Sequence, residues 1–285
     1  KECFDEDDGK FSLKEHVKTM DNNKSFLDLD NLGRYSAKFT NIISSIKTNT
    51  GIGFVYSQFI GAGVLSLALA LEANGFSRYM GNGKDENLLK DASKDRFCST
   101  HLKYESELTA KEKESFTPAR YILLTAQHSS VNSRNQLVKE CRGTLENPNT
   151  NGELIKVILG TRVVEQGISF RRIREIHIMD PWHHLNQMHQ AEGRGFRYKS
   201  HMELDEKHRN LTVYLHIGSR PKKDKTEIET SDEYIYRRAF AKKRNMAEIE
   251  YLLKKNAVDC QLNKLGNLFL DKNYDNLGYG NPLKN

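Results

Sequence analysis

The chain has 285 residues, of which 37% are hydrophobic and 29% are charged, and its formal net charge is +6. This length allows one large domain or two smaller ones, and the composition excludes a fibrous or wholly disordered protein. No apolar run approaches the ~20 residues that span a bilayer, and the acidic amino terminus lacks a signal-peptide pattern. The mild positive charge is compatible with a polyanionic partner without identifying one.

The four cysteines, Cys3, Cys98, Cys141 and Cys260, lie far apart in the sequence. None is paired at the two-residue spacing of zinc sites, so neither a zinc site nor a disulfide framework is predicted. A reducing intracellular compartment is the simplest interpretation. The chain begins at Lys1 rather than at a methionine, and we therefore expect it to be a piece of a longer protein.

Residues 1–35 are polar and have no clear hydrophobic period, so we interpret them as a lead-in or linker. The first structured unit follows, because the apolar residues 52–56 lie between glycines and predict a buried strand. The stretch from Gly61 to Gly75 then carries the apolar spacing of a helix. A strand, a turn and a helix in this order are typical of an α/β fold.

Residues 77–117 interrupt this alternation because they are rich in charged and small polar side chains. We interpret them as a polar insert at the surface with short helices. Gly81 and Gly83 precede Lys84 near its start, but they lack the spacing of a phosphate-binding loop and follow no predicted strand. No phosphate site is therefore predicted there.

Four further apolar runs, separated by helical patterns, predict strands at residues 121–124, 154–159, 175–179 and 211–215. Five strands alternating with helices predict a mostly parallel sheet with helices on both faces. Such sheets bind their ligands at the carboxyl ends of the strands. The residues at these positions are Ser57, Gln58, Thr125, Thr161 and Trp182.

The last part of the chain, residues 219–285, begins with a charged connection and continues as a helical pattern with a capped start near Ser231. Its apolar stripe consists of Ile235, Ala239, Met246, Ile249 and Leu253. Residues 220–255 hold 11 Lys or Arg and 7 Asp or Glu. Two interpretations fit this excess of positive charge: a helix packed on the sheet domain with a solvated basic face, or direct contact with nucleic acid.

One amide and two guanidinium groups, those of Gln190, Arg194 and Arg197, recur at helical spacing and would share one face of a helix. Guanidinium groups stay charged and bind phosphate bidentately, so this pair suits the terminal phosphates of a nucleotide held by another surface. Glycine is a poor helix former, so Gly193 and Gly195 indicate a close approach there. The alternative is a surface helix with two solvated arginines.

Three stretches resemble motifs of superfamily 2 helicases. Residues 54–58 resemble motif IV, residues 160–169 resemble motif V, and the pattern Gln-x-x-Gly-Arg-x-x-Arg at 190–197 resembles motif VI. Their order and spacing are similar to those of the second RecA-like lobe. The resemblance implies that residues 36–218 form a RecA-like carboxyl-terminal helicase lobe and that residues 219–285 form a helical extension.

Flanking signatures at residues 176–182, at Ser200-His201 and at residues 257–260 narrow this resemblance. They are similar to those of helicase-like proteins from large cytoplasmic DNA viruses of the African swine fever virus and poxvirus type, which include the small subunit of an early transcription factor. The resemblance implies that the protein is found in the viral factory of the host cytoplasm and in the virion.

In this family the motif VI arginines reach the γ-phosphate of ATP, whose other contacts come from the first lobe. The resemblance implies that Arg194 and Arg197 are catalytic and stabilise charge on the phosphoryl oxygens. Gln190, Gly167 and Ser169 are the implied ATP-binding residues. Many relatives have Asp where this chain has Ser169, and a serine orients an arginine less firmly. The implied cofactors are ATP and Mg²⁺, the latter held mainly by the first lobe.

The residues at the strand ends are the implied nucleic-acid contacts: Ser57, Gln58, Thr125, Arg134 and Thr161. Short hydroxyl groups hold sugar and phosphate without reading base identity, and Arg134 matches an arginine that adds a phosphate contact. The implied partners are nucleic acid, for which DNA is expected before RNA, the protein's own amino-terminal RecA-like lobe, and the viral transcription machinery. No membrane partner is expected.

Two further features have simpler interpretations. His183, His184 and His189 are close in sequence but lack the i, i+4 pairing of a metal site, so no metal site is predicted. Trp182 follows Pro181, where an indole ring is either a packing wedge or a base-stacking platform.

The sequence has neither a Walker A loop nor a strand-borne Asp-Glu pair, which hold the phosphates and Mg²⁺ in complete ATPases. We therefore expect this chain alone to show no ATP hydrolysis. Two functions stay open for the parent protein. One is a helicase or translocase, and the other is an ATPase subunit of a viral early transcription factor that engages promoter DNA without processive unwinding. Both use the same lobe chemistry.

Overall fold

The structure is a computed structural model that describes residues 3–18, 25–126, 131–144, 149–162, 170–220 and 229–258. The described strands are β1 Phe4–Asp7, β2 Lys10–Leu13, β3 Ile52–Tyr56, β4 Ser77–Gly81, β5 Lys84–Asp85, β6 Arg120–Leu124, β7 Val157–Gly160, β8 Ile173–Ile178 and β9 Thr212–Leu215. The helices are α1 Glu15–Lys18, α2 Leu29–Leu32, α3 Ala37–Thr48, α4 Ser66–Ala73, α5 Ala110–Glu114, α6 Val131–Cys141, α7 Leu185–Gly195 and α8 Ser231–Lys255. Within these residues, no helix has both the length and the apolar character that crossing a membrane requires.

Seven of the described strands form one sheet in the order β5-β4-β6-β7-β3-β8-β9. All neighbours in it pair in parallel except β4 and β5, and helices flank the sheet. Each of the five strands predicted from the sequence is present, with ends shifted by up to three residues. The predicted RecA-like α/β class with a mostly parallel sheet is therefore confirmed.

The central strands are buried along their whole length, which explains why they are continuous apolar runs rather than alternating ones. Every residue of β3 and of β7 is buried. Helix α3 packs Ile42, Ile43 and Ile46 into the same core, and its start is fixed by Ser36, whose side chain accepts a hydrogen bond from Phe39 N.

The stretch interpreted as a surface insert begins instead with β4, a strand of the main sheet. Only Tyr79 and Gly81 of β4 are buried, so its sequence carries too little apolar periodicity to indicate a strand. Leu88, Leu89 and Phe97, farther along this stretch, belong to the core. Residues 77–117 are therefore structural in part, and their short helix α5 lies where the sequence analysis expected helices.

Residues 1–35, interpreted from the sequence as a polar lead-in, also contribute to the core in their described parts. The hairpin of β1 and β2 is joined to the following stretch by Phe11, whose N–H donates to Leu88 O and whose carbonyl accepts from Lys90 N. Leu13 and Leu32 are buried in the same apolar core as α3 and α4. The described part of this segment therefore has buried apolar side chains as well as its many polar ones.

The chain divides into two compact units, Lys1–Asp180 with His189–Gly218, and Pro181–Met188 with Ser219–Asn285. The second unit contains α8, whose start is capped by Thr230 through reciprocal hydrogen bonds with Glu233. Ala239 of the predicted apolar stripe is buried, whereas its later members Met246, Ile249 and Leu253 are exposed. The charged connection predicted before this helix lies mostly outside the described residues.

A buried carboxylate on α4 holds the segment after β5 against the sheet. Glu72 accepts hydrogen bonds from Leu88 N at 2.9 Å, from Leu89 N at 2.6 Å and from the Tyr121 hydroxyl at 2.5 Å. Burial raises the pKa of Glu72, and these three donors offset part of that rise because they stabilise the charged form.

The raised pKa of Glu72 predicts a pH-dependent stability difference between the natural chain and Glu72→Gln. Protonation of Glu72 stabilises the folded chain fully below the unfolded pKa near 4.5, and this contribution is lost as pH rises through the raised folded pKa. Glutamine does not titrate. Chemical denaturation should therefore show the natural chain losing stability relative to Glu72→Gln as pH rises from acid to neutral. A stability difference that stays constant with pH would contradict this account.

Candidate nucleotide and nucleic-acid sites

Strands β6, β7, β3 and β8 are parallel neighbours, and four of their residues lie in register: Leu124, Gly160, Tyr56 and Ile178. The residues after them line one edge of the sheet, called here the carboxyl edge: Thr125, Thr161, Ser57 with Gln58, and Met179 with Asp180. Backbone hydrogen bonds extend the pairing to this edge, as from Ser57 N to Gly160 O at 3.1 Å. The structure thus brings together the strand-end residues of this unit that the sequence singled out.

The Ser57 hydroxyl is buried and hydrogen-bonded within the carboxyl edge rather than exposed to solvent. The Ser57 side chain is fully buried, donates to Asp180 and accepts from Phe59 N at 3.1 Å. The same Asp180 oxygen accepts from Gln58 N at 3.2 Å. Asp180 and Ser57 therefore fix the turn after β3. The side chain of Gln58 in this turn is half-buried and remains partly accessible to solvent.

The two threonines of the carboxyl edge are also buried: Thr125 is 0% exposed and Thr161 is 3% exposed. Arg134, on α6, lies over the end of β6, and its Nη1 donates to Thr125 O at 3.1 Å. Arg134 is only partly buried. Among the residues predicted to contact nucleic acid, Gln58 and Arg134 consequently supply the accessible side-chain surface, while the hydroxyl residues lie beneath it.

Two cations missed by sequence reasoning belong to the same edge. Lys38, near the start of α3, donates from Nζ to Met179 O at 3.0 Å and so lies at the end of β8. Arg162 directly follows Thr161 and is exposed. No sequence signal indicated Lys38, because its partner is 141 residues away. With Arg134, these residues give the carboxyl edge three positively charged side chains beside the negatively charged Asp180. This excess of positive charge favours an anionic ligand.

The signature residue His177 lies in a buried cluster that joins β8 to β9. Its Nδ1 is 3.0 Å from Nε2 of His216, its Nε2 is 3.3 Å from Glu175, and the Tyr214 ring stacks on it at 4.9 Å. Burial, with the neighbouring charges of His177 and Lys38, lowers the pKa of His216 to about 4, so His216 is neutral at neutral pH. This cluster stabilises the edge strand β9.

The carboxyl end of α7 packs directly on β8. A Cβ atom on Gly195 would lie 3.0 Å from Ile176 Cδ1 and 3.2 Å from Ile173 Cβ, so any larger residue would force these side chains to shift. The carbonyl of Arg194 accepts from Phe170 N at 3.1 Å. The close approach predicted for Gly195 is therefore confirmed, and it fixes Arg194 beside the amino-terminal end of β8.

The prediction that one helix carries all three polar side chains is wrong for Arg197, because α7 ends at Gly195. Gln190 is exposed and Arg194 is half-buried on the helix, one turn apart. Arg197 follows the helix end, is exposed, and donates from Nε to Gly193 O at 3.2 Å. Its guanidinium thus folds back towards the last turn of α7.

Ser200 and His201, which the sequence marked only through a resemblance, have a physical role after α7. The Ser200 hydroxyl accepts from Arg197 N at 3.3 Å, and Ser200 O accepts from Arg172 N at 3.0 Å. His201 Nε2 lies 2.6 Å from Ile173 O and must donate, because a carbonyl only accepts. These contacts hold the turn that carries Arg197 against the start of β8.

Of the remaining candidate nucleotide residues, the structure describes Gly193 but not Gly167 or Ser169. A Cβ atom on Gly193 would meet nothing within 4 Å, so the close approach predicted there is not made by the described part of this chain. Gly167 and Ser169 lie outside the described residues, and their predicted contacts stay predictions.

The two candidate surfaces lie at opposite ends of β8. Phe170 and Ile173 hold the α7 arginines at the amino end of the strand, whereas Asp180 follows its carboxyl end. A strand rises about 3.3 Å per residue, so the six residues of β8 separate the two surfaces by roughly 20 Å. A single rigid strand therefore connects the candidate nucleotide residues with the carboxyl edge.

The other histidines and Trp182 give no further site. Within the described residues, no group of three or more His, Cys, Asp or Glu side chains could hold a metal ion. His189 Nδ1 is 3.0 Å from Glu192 on the next turn of α7. Trp182 lies in the second unit, where its half-buried ring is 6.2 Å from that of His183, so both interpretations of Trp182 stay open.

Comparison with known proteins finds a similarity to one family model over part of the chain. Residues 93–199 match the family model described as the helicase conserved C-terminal domain. The match includes the stretches that resemble motifs V and VI, whereas residues 54–58, which resemble motif IV, precede it.

Three curated relatives are viral proteins. An Acanthamoeba polyphaga mimivirus protein named as an ATP-dependent RNA helicase is 29% identical over 263 residues, which cover 87% of this chain and 22% of that protein. An African swine fever virus homolog of the early transcription factor large subunit is 28% identical over 192 residues, or 66% of this chain and 16% of that protein. A homolog of the termination factor NPH-I from the same virus is 25% identical over 240 residues, which cover 80% of this chain and 33% of that protein.

The chain spans between 16% and 33% of the length of these three relatives. The resemblance drawn from the motifs is confirmed, although the transcription-factor relative is a large-subunit homolog rather than the small subunit that the signatures indicated. Residues 93–199 thus match the helicase conserved C-terminal domain, and the curated proteins that the chain resembles are helicase, transcription-factor and termination-factor homologs of large DNA viruses.

Proposed function

We propose that the chain is the carboxyl-terminal lobe of a viral superfamily 2 ATP-dependent helicase or translocase. Arg194 and Arg197 act on ATP that an amino-terminal lobe holds, and the carboxyl edge follows the sugar-phosphate backbone of DNA. The observation that carries this proposal is the separation of the two surfaces along β8. A motor needs a nucleotide contact and a nucleic-acid contact on one rigid body, and β8 supplies that body.

On the nucleotide side, the proposal rests on two arginines held by backbone contacts. Phe170 fixes the end of the helix that carries Arg194, and the Gly193 carbonyl orients the Arg197 guanidinium. Preorganised guanidinium groups stabilise the charge that spreads over the transferring phosphoryl group. Gln190, one turn before Arg194, contacts the nucleotide or the lobe interface. In the proposal Mg²⁺ accompanies the nucleotide and is held by the other lobe.

On the nucleic-acid side, Gln58, Arg134 and Lys38 support a phosphate-binding surface at the carboxyl edge. Their amide and cationic groups contact phosphate and sugar oxygens, which carry no sequence information. The buried hydroxyl of Ser57 holds the turn that presents Gln58, and the backbone carbonyl of Thr125 accepts a hydrogen bond from Arg134. A place in the cytoplasmic viral factory and in the virion belongs to the same proposal.

The similarity to homologs of a viral early transcription factor and of a termination factor favours a second candidate function. In this case the parent protein is an ATPase subunit of the viral transcription machinery that engages promoter DNA without processive unwinding. Both functions use the same lobe chemistry. Separation of a forked duplex by the full-length protein supports the first candidate, and ATP-dependent promoter binding without strand separation supports the second.

The first prediction concerns the arginines in a full-length protein that includes the nucleotide-binding lobe. Arg194→Ala and Arg197→Ala should each lower ATP turnover by roughly 10³-fold, as expected for a phosphate-directed arginine. Arg197→Lys should restore little turnover, because an ammonium group lacks the planar fork of a guanidinium. Steady-state phosphate release with and without single-stranded DNA measures these rates.

Arg171→Ala is the matched control, because Arg171 is an exposed arginine of the same unit that pairs with Glu203. It should leave turnover nearly unchanged. Thermal melting should show that all the variants fold. An alanine variant at Arg194 or Arg197 that melts normally and keeps most of its turnover would remove that arginine from the proposed site.

The two glycines of α7 provide a second prediction. Gly193→Ala should stabilise the isolated chain by up to about 1 kcal/mol, because alanine favours a helix and the added Cβ meets nothing. Gly195→Ala should lower the melting temperature, because its Cβ would crowd Ile173 and Ile176. In the full-length protein, Gly193→Ala should nevertheless reduce ATP turnover, since the other lobe must approach here. Normal turnover in Gly193→Ala would argue against that approach.

A third prediction concerns the carboxyl edge. The chain should bind single strands without sequence preference, and its affinity should fall as salt rises because bound counterions are released. Arg134→Gln should weaken binding equally for all sequences and reduce the slope of log affinity against log salt by about 1. Fluorescence anisotropy over a salt titration measures both quantities. Binding that does not depend on salt would contradict contact with the phosphate backbone.

A further inference from the structure

We propose that Phe59 is a stacking platform for an unpaired base of single-stranded nucleic acid bound at the carboxyl edge. This inference rests on the proposed nucleic-acid contact of that edge and adds to its phosphate contacts a contact with a base. Phe59 follows Gln58 after the central strand β3, and its side chain is 53% exposed. The motifs of the sequence gave no role to this residue.

The backbone of Phe59 is fixed by the Ser57 hydroxyl, which contacts it on both sides. Phe59 N donates to Ser57 Oγ at 3.1 Å, and the same oxygen lies 3.2 Å from Phe59 O. Asp180 in turn accepts hydrogen bonds from the Ser57 hydroxyl and from Gln58 N. These contacts join the turn after β3 to the end of β8. The backbone that carries the Phe59 ring is therefore fixed.

The inner side of this turn is filled by the backbone of Gly63. A Cβ atom there would collide with the Ser57 side chain and would lie 3.3 Å from Phe59 Cβ. Gly63 also has non-helical backbone angles, with φ −109° and ψ −105°, inside the π-helical turn Ile60–Leu65. This tight packing leaves the Phe59 ring on the outer side, where half of its surface meets water.

The surroundings of Phe59 favour nucleic acid over an apolar protein surface as its partner. The neighbouring side chain in the turn after β3 is the amide of Gln58, and the same edge carries the cations Lys38, Arg134 and Arg162. An aromatic ring beside a row of cations matches the two needs of a single strand, stacking for its bases and positive charge for its phosphates. In a duplex, stacking between neighbouring base pairs covers the faces of the bases, so the preferred ligand is single-stranded.

The test measures binding of the 285-residue chain to two fluorescein-labelled strands of equal length, an oligothymidine and an abasic strand. Phe59→Ala should weaken binding to oligothymidine about 10-fold, the effect of losing one base–aromatic stack. Phe59→Trp should bind oligothymidine as tightly as the natural chain. On the abasic strand, the natural chain and Phe59→Ala should bind equally, since no base is present to stack.

Met202→Ala is the control, because Met202 is another exposed apolar side chain, at 55%, that lies outside the carboxyl edge. It should bind both strands like the natural chain. The salt slope of Phe59→Ala should equal that of the natural chain, since no charge is removed. If Phe59→Ala melts at a lower temperature, Phe59→Leu replaces it, because leucine keeps an apolar side chain but cannot stack as an aromatic ring does.

The outcomes separate this proposal from the one on which it rests. If the natural chain binds neither strand, the nucleic-acid function of the carboxyl edge is overturned and the stacking role with it. If the natural chain binds and Phe59→Ala binds oligothymidine equally well, the stacking role alone is overturned. An equal loss on the abasic strand would also overturn it, because Phe59 would then act on the backbone, through the fold or through a protein contact.

Discussion

The in-register parallel pairing of β6, β7, β3 and β8 is the constraint on which the rest of the structure depends. Parallel strands are joined by crossovers, so the turns that follow all four strands meet at one edge. A slip of one residue in β3 would exchange its two faces and move Ser57 away from Asp180. Complete burial of β3 and β7 opposes such a slip, because both faces are covered by apolar groups.

A second constraint, the contact of Gly195 with β8, places the α7 arginines relative to that sheet. The missing side chain lets α7 approach Ile173 and Ile176, and the Ser200-His201 turn ties the following residues to the same strand end. Movement of the arginines is thereby coupled to movement of β8. Under the proposed function, a change in the nucleotide contact of these arginines would be transmitted to the carboxyl edge as a rigid-body displacement, which is one of the recognised routes between two sites.

The sequence predicted the central strands because their apolar runs have one interpretation in an α/β pattern, and it located the carboxyl edge from their ends. It could not predict β4, whose residues have little apolar periodicity and which is a strand because β5 and β6 pair with it. The end of α7 was misjudged for a similar reason. Helical spacing extends through Arg197, but tertiary contacts of Gly195 and Ser200 end the helix first.

Residue type indicated which side chains follow the strands but not which of them are accessible. Serine and threonine at strand ends are good phosphate ligands in general, yet in this tightly packed sheet edge Ser57 and Thr125 are buried, and the Ser57 hydroxyl bonds within the protein. Only longer side chains, such as Gln58 and Arg134, extend beyond that layer. A surface built from long polar and aromatic side chains on fixed turns contacts phosphates and base faces, which every nucleotide presents. Such a surface suits a protein that must bind successive positions of a strand regardless of its sequence.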